Sequence, residues 1–261
     1  DGTKRASQAD TEDVLKMTET HKETLSGLLQ SKTYYYTGYG KGDEIADYTN
    51  NYRSDGSTVK NVSIMFYGDA TTRASAADTD DVLFMTATHK LTIGGTLQSE
   101  TYYYTGYGKG DEIADYTDNY KTDGSTVRNV SIMFYGDATT RASAADTDDV
   151  LFMTATHKLT IGGTLQSETY YYTGYGKGDE IADYTDNYKT DGSTIRNVSI
   201  MFYADGTKRA STADTDDVLK MTETRKETLT GTLQSETYYY TGYGKGDEIA
   251  DYTDNYKTDG S

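Results

Sequence analysis

The sequence predicts a mainly β protein, built as a tandem array of four antiparallel units of 68 residues. The first observation is a repeat: the segment Thr101–Thr117 recurs, letter for letter, at Thr33–Thr49, Thr169–Thr185 and Thr237–Thr253. A long fixed period of this kind is typical of repeated structural units. The second observation is the alternation of Thr and Tyr with other residues, which favours strands. A closed four-fold β assembly is the alternative architecture.

Four repeats follow from this period, at residues 1–68, 69–136, 137–204 and 205–261. The first and last repeats are expected to act as caps, because they carry charged residues where the middle repeats carry apolar ones. The fourth repeat also lacks a counterpart of residues 58–68, and therefore its final strand. Since the chain opens and closes partway through a repeat, we expect it to be a processed product or an excised piece.

The composition excludes several classes of function. The chain contains 42 acidic and 25 basic residues, for a net charge of −17, and it has no cysteine. Such a charge repels nucleic acid and anionic membrane surfaces, and no apolar run is long enough to span a membrane. The 27 tyrosines offer large rings with a polar tip, so the cores are expected to be rich in tyrosine.

The segment Val82–Ser99 of the second repeat admits two interpretations. Threonines on even positions alternate with apolar residues, which indicates a strand or hairpin. The alternative is a short helix within residues 78–93, because the positions of Phe84, Ala87 and Leu91 become charged together in the end repeats and share one helix face. We prefer the strand, since threonine is a poor helix former.

A hairpin is predicted from Glu112–Lys121 and Thr126–Tyr135, because an Asp-Gly pair between alternating runs is a strong hairpin signal. We expect a three-residue loop with Gly124 in the left-handed conformation, which would place Tyr116 opposite Val130. With a further strand beginning at Thr101, each repeat is predicted to hold four or five antiparallel strands.

No set of residues predicts catalysis. Three repeats carry a histidine, at His21, His89 and His157, but the fourth has Arg225 at that position. A metal or catalytic site in every repeat would lose a ligand there, so we interpret these residues as exposed turn residues. No nucleophile or zinc motif is present in the sequence. We therefore expect a protein that is not an enzyme and needs no cofactor.

Calcium is the alternative to this expectation of no cofactor. Calcium binds six to eight oxygens, several of them from carboxylates. Asp111, Glu112 and Asp115 are the most suitable ligands in the second repeat. Their spacing matches neither an EF-hand nor a glycine–aspartate nonapeptide repeat, and solvated loops are the preferred interpretation.

Each repeat also offers tyrosines and an aspartate that can form a ligand surface. A tyrosine ring can stack on a sugar while a nearby carboxylate accepts its hydroxyls. The predicted sets are Tyr35, Tyr39 and Asp43; Tyr103, Tyr107 and Asp111; Tyr171, Tyr175 and Asp179; and Tyr239, Tyr243 and Asp247. The same rings can instead pack internally. Because neighbouring strand residues point to opposite faces, three tyrosines in a row share a face only at a bulge.

These observations predict a non-enzymatic, extracellular or cell-surface, structural or adhesive repeat protein. Its expected partners are copies of itself or neighbouring surface proteins, contacted through unpaired sheet edges. The alternative is a multivalent, lectin-like protein with one weak Tyr/Asp site per repeat, whose partner would be a polysaccharide. Neither function involves nucleic acid or membrane insertion.

Overall fold

The protein is mainly β: the computed structural model describes residues 4–257, and this range contains fifteen strands and no α-helix. The chain forms two compact units, Asp1–Thr126 and Val127–Ser261. The first unit contains β1 Met17–His21, β2 Leu29–Tyr36, β3 Ile45–Tyr52, β4 Val59–Tyr67, β5 Leu83–Lys90, β6 Leu97–Tyr104 and β7 Ile113–Tyr120. The second contains β8 Val127–Tyr135, β9 Leu151–Lys158, β10 Leu165–Tyr172, β11 Ile181–Tyr188, β12 Ile195–Tyr203, β13 Leu219–Lys226, β14 Leu233–Tyr240 and β15 Ile249–Asn255.

Within each unit, every strand pairs antiparallel with the next strand along the chain. Corresponding strands recur at the sequence period: β2, β6, β10 and β14 begin at Leu29, Leu97, Leu165 and Leu233. The mainly β repeated array is therefore confirmed. In residues 4–257, β1 pairs only with β2 and β15 only with β14, so the sheet is open. The closed four-fold alternative is wrong.

The ambiguous segment of the second repeat is a strand, and the helix alternative at 78–93 is wrong. β5 pairs with both neighbouring strands, which satisfies its backbone hydrogen bonds without a helix. In the first repeat, a charged replacement takes part in strand pairing. Glu19, at the position of Ala87, lies opposite Lys32 and forms an ion pair of 2.8 Å with it.

The Asp-Gly hairpins have a longer loop than the sequence predicted. In the hairpin between β3 and β4, the amide of Arg53 donates to the carbonyl oxygen of Thr58 at 2.8 Å, which leaves four residues in the loop. Tyr48 therefore pairs with Ile64. The predicted three-residue loop would have paired it with Val62, so that prediction of register was wrong by two residues.

The conformation of the loop glycine is as predicted, since Gly124 has a φ of +66°. The aspartate before it explains why the longer loop is stable. The Asp123 carboxylate accepts hydrogen bonds from the amides of Ser125 and Thr126, both at 2.9 Å. These contacts lower the pKa of Asp123 to about 2, and the hydrogen bond from the Ser125 amide has the largest effect.

Each hydrophobic core combines strand ends of one repeat with the loop that opens the next repeat. In the first unit, Ile45 and Tyr67 pack against Ala74 and Ala77 of the loop before β5. The alanines are small enough for the loop backbone to lie directly on the strands, and both are fully buried. An equivalent core in the second unit contains Ile181, Tyr203, Ala210 and Ala213. A repeat therefore completes its core with residues of its successor.

An arginine fixes this loop over the core. In the second unit, the Arg209 guanidinium contacts both carboxylate oxygens of Asp183, at 2.9 and 2.7 Å. It also lies over the ring of Phe202, 5.8 Å from the centroid. A bidentate pair with an aromatic contact sets position and orientation together. In the first unit, Arg73 donates two hydrogen bonds to a single oxygen of Asp47, at 3.0 and 2.6 Å, and lies over the ring of Phe66.

Candidate functional site

Strands β6 and β7 carry tyrosines on one face and hydroxyls on the other. Tyr102 lies opposite Tyr116, and their rings stack at 4.7 Å between centroids. The neighbouring Thr101 and Thr117 share a hydrogen bond of 2.9 Å between their hydroxyls. Since neighbouring strand residues point to opposite faces, one face is aromatic and the other carries hydroxyls. The same pairs recur in β2–β3, β10–β11 and β14–β15.

The three consecutive tyrosines of β6 do not all lie on one face. The β6–β7 register shifts between Tyr102 and Tyr103. The Tyr103 hydroxyl then lies 3.3 Å from the hydroxyl of Thr86 on β5. The other predicted strand tyrosines make the same contact: Tyr35 with Thr18, Tyr171 with Thr154 and Tyr239 with Thr222. This predicted ligand residue is therefore bonded within its own sheet in each repeat.

The predicted loop tyrosine of each repeat packs against a strand tyrosine. Tyr104 and Tyr107 meet edge to face, with 5.0 Å between ring centroids. The Tyr175 hydroxyl donates to the carbonyl oxygen of Ala213 at 2.5 Å, and that of Tyr39 donates to Ala77. These hydroxyls therefore hold the loop of the next repeat. Tyr39 and Tyr175 remain 37% exposed as whole residues.

The predicted aspartates lie in the turns before β3, β7, β11 and β15. The Asp111 amide donates to the carbonyl oxygen of Gly108 at 3.3 Å, and those of Asp43, Asp179 and Asp247 donate to Gly40, Gly176 and Gly244. The ligand surface of tyrosine and aspartate thus draws on a strand, a loop and a turn. It stays a prediction.

The candidate calcium ligands serve structural contacts. Glu112 accepts a hydrogen bond from the amide of Leu83 at 2.8 Å with one oxygen, and from the amide of Gly110 at 2.9 Å with the other. It thereby ties the turn before β7 to the start of β5. In residues 4–257, no three or more His, Asp or Glu side chains are grouped as metal ligands. A calcium ion at Asp111, Glu112 and Asp115 stays a prediction that would require Glu112 to change partners.

The histidines lie near strand ends, so their interpretation as turn residues was wrong. The Nδ1 atoms of His21, His89 and His157 lie 2.8 to 2.9 Å from the carbonyl oxygens of Gly27, Gly95 and Gly163 in the following loops. A ring N–H that donates to this carbonyl closes the hairpin. In the fourth repeat, Arg225 donates to Gly231 at 3.2 Å. Because an arginine replaces the ring here, the contact is structural.

Sequence reasoning missed a carboxylate on the aromatic face. Glu100 accepts hydrogen bonds from the hydroxyls of Tyr102 at 3.1 Å and Tyr120 at 2.6 Å. Asp118 lies directly opposite Glu100. Burial, and then the negative charge of Glu100, raise the pKa of Asp118. Burial and Glu100 also raise the pKa values of the two tyrosines.

This arrangement has a signal in the sequence. Glu100 and Tyr102 are two residues apart, and side chains at this spacing share a strand face. The first repeat replaces the two carboxylates by Lys32 and Asn50 together. A paired change of this kind indicates contact between the two positions. The cluster recurs at Glu168 and at Glu236, each of which also accepts hydrogen bonds from two tyrosines.

Comparison with known proteins identifies neither a matching family model nor a significantly similar curated protein. Over the described part of the chain, no helix has both the length and the apolar character needed to cross a bilayer.

Proposed function

We propose that the chain is a non-enzymatic structural or adhesive repeat protein of the cell surface or extracellular space. The observation that carries this proposal is the junction between repeats, where one repeat's strands are covered by the next repeat's loop. Such a junction can be added many times without changing its geometry, which gives length and a recurring surface. The hydrogen-bonded tyrosines, threonines and glutamates of each repeat support a structural role.

The exposed edge of β15 supports self-association of the 261-residue chain. Ile249 is 57% exposed, whereas its counterparts Ile45 and Ile181 are 5% and 4% exposed. Tyr252 of the same strand is also exposed. A strand with unpaired backbone groups and apolar side chains is a template for another chain. A second copy of the chain is the proposed partner.

Sedimentation velocity over a range of protein concentrations and salt concentrations tests this association. The chain is expected to form larger species as its concentration rises. Ile249→Lys should shift the association to higher concentration, because a lysine at an edge opposes pairing. Leu229→Lys is the matched control, since Leu229 is exposed in the same unit but lies in the loop between β13 and β14. A wild-type chain that stays monomeric throughout would remove self-association from the proposal.

Multivalent carbohydrate binding is the second proposal, favoured by the exposure of Tyr39 and Tyr175. The four predicted sets of two tyrosines and one aspartate, one set in each repeat, would act together on a repetitive polysaccharide. A glycan array, probed with and without calcium, tests this function. Binding that falls in the variant Tyr39→Ala/Tyr175→Ala would support these rings as the site. No signal above background in either condition would refute the proposal.

A further inference from the structure

A cavity of about 500 Å³ lies within the second unit, among the ends of β9 and β10 and the hairpin that joins β11 to β12. Cavities of this size hold small organic ligands. The two hairpins that border it touch each other: a Cβ on Gly192 would lie 2.7 Å from the side chain of Thr164. The close approach at Gly192 therefore fixes one side of the cavity.

The charge of this cavity is opposite to that of the whole chain. Lys158, Lys189 and Arg196 line it, and none of its lining residues is acidic. The net charge of the chain is −17. Within residues 4–257, these three side chains form no ion pair and no hydrogen bond, although the charge of Lys189 acts on Asp191 in the same hairpin. In contrast, Lys32 and Arg209 pair with carboxylates. Three unpaired cations around one cavity attract an anionic group.

The remaining lining is suited to hydroxyl groups. Asn129, Gln166 and Asn187 contribute amides, and Thr156 and Ser167 contribute hydroxyls. Amide and hydroxyl groups both donate and accept hydrogen bonds.

We infer that this cavity binds a carbohydrate that carries an anionic group, a uronate carboxylate or a sulfate. The cations bind the anionic group, and the amides and hydroxyls bind the sugar hydroxyls. The site contains none of the tyrosines of the second proposal above and no residue of β15. Each of the three proposals can therefore fail without the others.

A single tryptophan can report on this cavity alone, because the chain contains no tryptophan. Thr190 lines the cavity and is exposed, so Thr190→Trp places the fluorophore at its rim. The probes are trigalacturonate, the same trisaccharide with its carboxylates reduced to alcohols, a sulfated disaccharide, and inorganic sulfate. Each probe is titrated into the reporter chain at constant ionic strength.

The expected result is saturable binding of trigalacturonate or the sulfated disaccharide, at least about tenfold tighter than the reduced trisaccharide. Lys158→Gln/Lys189→Gln in the reporter should weaken this binding about tenfold or more. Lys22→Gln/Lys226→Gln, with the same change in net charge, should leave it unchanged. Circular dichroism confirms that each variant is folded.

Gln166→Ala separates a sugar site from a simple anion site, because Gln166 lines the cavity and is exposed. It should weaken the acidic sugar about fivefold, the value of one hydrogen bond, and leave sulfate binding unchanged. Sulfate that binds as tightly as the acidic sugars would overturn the carbohydrate assignment. No saturable signal with either acidic sugar, or equal binding of the reduced trisaccharide, would overturn the site itself.

Discussion

Replacing Asp186 with asparagine is expected to stabilise the protein at neutral pH. Asp186 lies directly opposite Glu168, the carboxylate that accepts hydrogen bonds from Tyr170 and Tyr188. Two like charges therefore face each other across half-buried strand positions. Burial first, and then Glu168, raise the pKa of Asp186 above its ordinary value of 3.8. Asparagine keeps the shape of this side chain and removes its charge.

The size of the effect follows from the geometry of a cross-strand pair. Unit charges about 6 Å apart repel by about 0.7 kcal/mol at the dielectric constant of water and by about 3 kcal/mol at an effective value of 20. Measured cross-strand pairs contribute about 0.2 to 1 kcal/mol. Because both carboxylates are partly exposed, solvent screens the repulsion. We expect Asp186→Asn to raise the free energy of unfolding by about 0.5 to 1 kcal/mol at pH 7.

The effect should depend on pH with a defined sign. The folded state holds the Asp186 proton more tightly than the unfolded state does, so stability is present at low pH and is lost as pH rises through the raised pKa. The gain from Asp186→Asn should therefore vanish below about pH 3.5 and grow towards neutral pH. Urea unfolding of both chains between these values measures it.

The first repeat provides a matched control for this prediction. Asn50 stands at the position of Asp186, opposite Lys32. Asn50→Asp would create an opposite-charge pair and is expected not to destabilise the protein. A loss of stability in Asp186→Asn at pH 7, or a gain that does not change with pH, would refute the reasoning.

Three further predictions concern stability and are measured by urea unfolding. Gly95→Ala should destabilise the protein by about 2 kcal/mol or more, because a Cβ at this position would lie 1.8 Å from a backbone oxygen. The control is Gly94→Ala, which has open space around its Cβ and should be near neutral. Equal effects of the two substitutions would contradict the geometry. Leu159→Asn should stabilise the protein by about 0.5 to 1 kcal/mol, because Leu159 is 48% exposed and its backbone is strained at a φ of +67°. A loss of stability in this variant would count against strain at this loop. Tyr203→Phe should cost about 1 kcal/mol, because its buried hydroxyl donates to the Ala182 carbonyl at 2.5 Å; no change would show that this bond is not a net contributor.

The period, the assignment of β5 as a strand and the left-handed glycine of the Asp-Gly loop were predictable from local sequence. Copies of one segment must fold alike when their surroundings are alike, so the repeat fixes the architecture. The threonine alternation identified β5 correctly, because side-chain direction in a strand depends only on parity. Gly124 was placed in the left-handed conformation because Asp-Gly turns have few alternatives.

Register and long-range contacts were not predictable in this way. The β3–β4 register depends on how the carboxylate of Asp55 bonds to the loop, and a shift of two residues keeps every side chain on its face. The contact of Arg209 with Asp183 joins residues 26 apart, beyond any local pattern. The cavity among Lys158, Lys189 and Arg196 likewise joins three separate segments. Sequence periodicity does not report such distances.

The central claim is that each repeat buries its last strands only when the loop of a following repeat covers them. Hydrogen exchange of β15, residues Ile249–Asn255, tests it most directly. A variant that carries a copy of residues 194–217 after Ser261 adds a counterpart of β12 and of the loop that follows it. A control extension replaces the counterparts of Ala210 and Ala213 by lysine. The claim predicts that the backbone amides of β15 exchange much more slowly in the extended chain than in the original chain. In the control extension, this slowing should be smaller. Equal exchange of β15 in all three chains would contradict it.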